Sequence, residues 1–74
     1  MAHHVIEAKG LNCPQPVLKL TSAMLTIKAG DTVEVSGDCA TFEKDCRAWC
    51  VRMRKTLLEV IDEGNNAKRI KIQF

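Results

Sequence analysis

The 74-residue chain has no tyrosine, one tryptophan and two phenylalanines. So few rings supply no aromatic platform on which bases could stack. No apolar run approaches the roughly 18 residues of a membrane-spanning helix, and no signal-peptide pattern precedes the first charged residues. A cytosolic protein is therefore expected, with no membrane insertion. The net charge is only +2, too weak by itself to argue for a nucleic-acid partner. No glycine-rich phosphate loop, repeat or low-complexity linker is present, and no Cys/His spacing argues strongly for zinc. There are two prolines, and both fall in one stretch, "GLNCPQPVLKL" (10–20).

The composition, 46% hydrophobic and 27% charged, is that of an ordinary globule. Such a chain makes one domain, residues 1–74, with a small core that buries roughly 60–65% of the unfolded surface. Residues 5–10 read as a short strand with Ile6 and Ala8 on one side and Glu7 and Lys9 on the other. His3 and His4 precede it, and a frayed end without a role is expected there. Residues 14–30 read as a helix: Val17, Leu20, Met24 and Ile27 recur at helical spacing, and Gly30 suits the C-terminal cap. Residues 31–37 alternate, with Val33 and Val35 inward and Thr32, Glu34 and Ser36 outward. A second helix spans about 39–54, with Phe42, Cys46, Trp49, Cys50 and Met53 on one stripe and Asp38 as N-cap. Residues 56–64 are strand-like, "GNN" (64–66) marks a turn, and residues 67–74 alternate Ile70, Ile72 and Phe74 against Arg69, Lys71 and Gln73. The order βαβαββ predicts an α/β two-layer sandwich: a mixed four-stranded sheet, wet on one face, with both helices on the other.

Proline is tolerated in a helix's first turn because the N–H it lacks would have no intrahelical partner. With Cys13 at the N-cap, Pro14 occupies N1 and Pro16 occupies N3. Pro14 pushes Cys13 toward extended backbone, as an N-cap requires. Pro16 removes one cap donor, so the Gln15 N–H is the main donor left for the sulfur. Pro16 also disfavours α geometry at Gln15, which distorts the first turn. A free cysteine has a pKa of about 8.5, and a helix N-terminus contributes about 0.3–1 kcal/mol to an anion. A thiolate at Cys13, or the more acidic persulfide, is thus favoured there. The plainer alternative is a cysteine used as a small hydrophobe behind a Pro-x-Pro helix start.

The stretch "GLNCPQP" resembles the G-L-x-C-P-x-P motif of the TusA/SirA-like sulfur-carrier family. "KAGDTVEV" is similar to that family's second strand and its approach, and "CRAWC" sits where many members have an aromatic–Cys pair. The resemblance covers essentially the whole chain. It implies a sulfurtransferase acting as a protein persulfide carrier, with sulfane sulfur held covalently on Cys13 and no separate cofactor. The implied partners are a sulfur donor, either a cysteine desulfurase or a rhodanese-like protein, and a thiol acceptor protein. The implied destinations are tRNA thiolation, molybdenum cofactor, or dissimilatory sulfur and thiosulfate metabolism. Two departures stand out. Cys39 replaces the proline many members carry after Asp38, and "DCRAWC" replaces their Asp-Ile-Pro before the aromatic–Cys pair.

The remaining cysteines divide. Without a secretion signal, free thiols are expected in place of a disulfide scaffold. Cys46 and Cys50 lie on a core stripe and read as buried and structural, although their spacing could also hold a metal or form a regulatory dithiol. Cys39 is a candidate second thiol. If the first two strands are parallel, both helices start at one sheet edge, which brings Cys39 to the side of Cys13. Arg47, Arg52, Arg54 and Lys55 form either a solvated helix face or a surface that steers an acidic partner. Two other functions fit the sequence: a regulatory or RNA-associated module, and a Cys13/Cys39 thiol redox switch.

Overall fold

The computed structural model describes residues 2–12 and 15–74. Six elements follow in the expected order: β1 (His3–Glu7), α1 (Gln15–Ala23), β2 (Thr32–Gly37), α2 (Phe42–Met53), β3 (Thr56–Gly64) and β4 (Ala67–Gln73). The sheet runs β1-β2-β4-β3, with β1 parallel to β2 and the other two pairings antiparallel. Val33 and Val35 of β2 pair with Ile72 and Ile70 of β4, and all four are fully buried. Val17 and Leu20 of α1 and Phe42, Cys46, Trp49 and Cys50 of α2 close over them as one core. The two-layer sandwich is as expected, and no helix among the described residues is long and apolar enough to cross a membrane.

The open face of the sheet is a charge lattice. The Arg69 guanidinium reaches Glu63 at 3.2 Å, Glu7 at 3.5 Å and Glu34 at 3.7 Å. Lys71 stands 3.6 Å from both Glu34 and Glu59. Opposite charges on neighbouring strands support the pairing while keeping this face wet. Ser36 points to the same face, outward as expected, but Glu7 covers it: the hydroxyl donates to the Glu7 carboxylate at 2.6 Å and the residue is fully buried.

α1 is shorter than the pattern 14–30 implies. After Ala23 the chain tightens: Leu25 N–H donates to the Ser22 carbonyl and Thr26 N–H to that of Ala23. Leu25 is 91% exposed while Ile27 returns to the core, so the apolar spacing there reports a packed turn and not a further helical turn. α2 begins after Thr41, not Asp38. The Asp38 carboxylate is committed elsewhere, to Gly10 N–H at 2.9 Å. Arg54 ends α2 in the left-handed region, φ 58°, and Lys55 N–H bonds back to the Cys50 carbonyl.

The two N-terminal histidines belong to β1, contrary to the frayed end expected. His3 pairs with Thr32 and His4 with Val33 in the parallel register. Asp31, 7% exposed, accepts from Ala2 N–H at 3.0 Å, from His4 Nε2 at 3.0 Å and from Lys28 N–H at 3.2 Å. The Ala2 N–H first, then His4, hold the Asp31 carboxyl down to about 2. Because the folded value lies below the unfolded one, Asp31 stabilises the fold fully above about pH 4 and loses that contribution as pH falls toward 2. Urea midpoints of wild type and Asp31→Asn are therefore expected to differ most near neutral pH and to converge in acid. A gap that stays constant with pH would show that the Asp31 charge contributes nothing.

Candidate functional site

Parallel pairing of β1 and β2 brings the loops after both strands to the same sheet edge. Ala8 N–H donates to the Ser36 carbonyl at 2.9 Å, extending the pairing beyond β1. Gly10 N–H then meets the Asp38 carboxylate, so the loop leading into α1 is bonded to the loop leading into α2. The Asp38 bond had no local signal in sequence, since its partner lies 28 residues away.

Cys13 and Pro14, the first two residues of the expected site, lie outside the described residues. Their flanks are described. Gln15 is exposed and opens α1, and Pro16 is buried in the first helical turn, where its missing N–H is harmless. The Gln15 N–H was expected to serve the sulfur, but it donates to the Asn12 carbonyl at 2.8 Å. The electrostatic argument for a thiolate at this helix start therefore rests on the helix dipole and not on the Gln15 donor.

Cys39 is half-buried, touches the core and is disulfide-bonded, so the expectation of free thiols does not hold there. It lines a cavity of about 400 Å³ together with Asp38, Phe42, Glu43, Asn66 and Lys68. Lys68 Nζ and Arg47 Nε each donate to Glu43 at 2.9 Å. These bonds, that of Lys68 foremost, hold the Glu43 carboxyl below the usual carboxylate range. Asn66 and Lys68 come from the β3–β4 hairpin, and nothing in their local sequence sets them apart from turn and strand residues.

Cys46 and Cys50 are free and buried. Burial pushes the Cys46 thiol up to about 12 and raises that of Cys50 as well. Neither is a nucleophile near neutral pH. Among the described residues no group of His, Cys, Asp or Glu could hold a metal ion. The basic residues of α2 and its C-terminal flank are partly occupied: Arg47 on Glu43, and Lys55 over the Phe74 ring at 4.8 Å.

A family model described as sulfurtransferase TusA matches residues 4–73, across both bonded loops and every strand and helix. The chain belongs to the TusA sulfurtransferase family. One curated relative, from Bacillus subtilis (strain 168), is named "Putative sulfur carrier protein YrkI". It is 36% identical over 64 residues, 86% of this chain and 85% of the relative. Membership in the TusA family supports a sulfur-carrier role, and such a role entails docking to sulfur-donor and sulfur-acceptor proteins.

Proposed function

We propose that this TusA-family chain accepts sulfane sulfur on Cys13 and passes it to an acceptor protein in a cytoplasmic relay. The family match across residues 4–73 carries the reading, since it spans the C-P-x-P stretch. The burial of Cys46 and Cys50, which removes two of four cysteines from nucleophilic chemistry, supports it. In the loading step the Cys13 thiolate attacks the outer sulfur of a donor persulfide. The new bond joins Cys13 Sγ to that sulfur, the donor's own S–S bond breaks, and the donor cysteine leaves as thiolate. A cysteine desulfurase or a rhodanese-like protein is the donor. Transfer reverses the roles: an acceptor thiolate attacks the outer sulfur and Cys13 is the leaving group. The cargo is covalent, so the chemistry needs no resident cofactor. tRNA thiolation, molybdenum cofactor synthesis and dissimilatory sulfur or thiosulfate metabolism are the destinations this chemistry fits.

An RNA-binding role is disfavoured by the open sheet face. Glu7, Glu34, Glu59 and Glu63 neutralise Arg69 and Lys71 there, and no aromatic ring is paired with them.

The test begins with reduced protein freed of reductant. It is incubated with thiosulfate and a rhodanese, or with cysteine and a desulfurase, and its intact mass is measured. The chain, or its Cys39→Ser variant in which no second thiol competes, is expected to gain about 32 Da per sulfur. Cys13→Ser is expected to gain none. An equal gain in Cys13→Ser would overturn the assignment.

A further inference from the structure

We propose that Cys39 is a resolving thiol that discharges the carried sulfur as hydrosulfide when no acceptor protein takes it. The proposal rests on the reading of Cys13 as carrier. Three observations support it. The loop that ends in Asn12 and the loop that continues into Cys39 are bonded to one another, through Gly10 to Asp38 and Ala8 to Ser36. Cys39 already takes part in a sulfur–sulfur bond, whereas Cys46 and Cys50 are free. Cys39 also lines the cavity of about 400 Å³ whose wall includes Asp38, Glu43 and the Lys68 paired to Glu43, so a small thiol has space to approach it.

The step balances without an external oxidant. The Cys39 thiolate attacks the inner sulfur of the Cys13 persulfide. A Cys13–Cys39 disulfide forms, the bond to the outer sulfur breaks, and that sulfur leaves with the electron pair as hydrosulfide. The sulfane sulfur is reduced and the two cysteines are oxidised. Two equivalents of a small thiol then restore both cysteines, with formation of that thiol's disulfide. The carrier thereby limits how long an undelivered persulfide survives, and it stays closed to new sulfur until reduced.

The experiment compares reduced wild type, Cys39→Ser and Cys39→Ala after loading and removal of the donor, under anaerobic conditions without reductant. Wild type is expected to release about one hydrosulfide per chain and to end about 2 Da below the fully reduced mass. Both variants are expected to retain the gain of about 32 Da and to release hydrosulfide at least roughly tenfold more slowly. Folding of the variants is checked by circular dichroism, and agreement between serine and alanine removes dependence on either side chain. Hydrosulfide release by the variants at the wild-type rate would overturn the proposal, and so would wild type that holds its extra sulfur. Wild type carrying the sulfur on Cys39, mapped by peptide mass, would overturn it too. In the first two cases carriage on Cys13 stands, whereas in the third the Cys13→Ser mass measurement decides it. Failure of the Cys39 variants to gain any mass defeats the carrier reading, and this proposal falls with it.

Discussion

Trp49→Ala is expected to remove about 3–5 kcal/mol of stability, the largest loss any single truncation in this chain should give. Trp49 is fully buried, its ring stands 5.8 Å from that of Phe74, and its Nε1 donates to Thr21 Oγ1 at 3.0 Å. Thr21 Oγ1 donates in turn to the Val17 carbonyl at 3.1 Å. One side chain therefore joins α2 to α1 and to the end of β4. Marginal stability of about 0.05–0.15 kcal/mol per residue gives a chain of this length only about 4–11 kcal/mol in total. The variant is expected to be largely unfolded, or to unfold at a much lower urea midpoint. Leu25→Ala serves as the comparison: Leu25 is 91% exposed, and its loss is expected within about 0.5 kcal/mol. Equal midpoints for the two variants would contradict the core described here.

Gly37→Ala is expected to cost about 3 kcal/mol, although it adds one methyl group. A Cβ at this position would lie 2.6, 2.7 and 2.9 Å from three atoms of the Phe42 ring. Such contacts require something to move. Phe42 is 2% exposed and opens α2 directly over the end of β2, so the ring has no free space to enter. Phe42→Leu makes room at the cost of some buried area. The double variant is therefore expected to be less destabilised than the sum of the two single changes. Thermal or urea unfolding of all four proteins gives the coupling, and strict additivity would mean that the ring is not what excludes the methyl.

Where local chemistry decides, the sequence was readable. The strand over 56–64 and its turn came out with the boundaries expected, and Asn65 and Asn66 take φ of 52° and 64°, which asparagine tolerates better than most residues. The α2 stripe needed only helical spacing. β3 showed no clean alternation because its register against β4 shifts between Leu57 and Glu59. What stayed hidden depends on partners far along the chain. Nothing near His4 announces Asp31, 27 residues on, and nothing near Asp38 announces Gly10. Asp38 makes a good N-cap on local grounds and was claimed by a distant amide. The Gln15 donor failed for the opposite reason, since a carbonyl only three residues back took it. For the candidate site, residue types pointed to Cys13, whereas the cavity beside Cys39 required the hairpin to fold back to it.

The clasp around residues 30–32 also sets the polarity of the molecule. Thr32 N–H bonds the Ala2 carbonyl, Gly30 N–H bonds that of Phe74, and Phe74 N–H bonds that of Asp31. Both ends of the described chain thus leave from the pole opposite the loops that hold Gly10 and Asp38. A fusion partner or affinity tag joined at either end would hang away from the pole that these two loops form. The fold can accordingly be tethered, or strung into tandem, with the Gly10–Asp38 edge still facing outward.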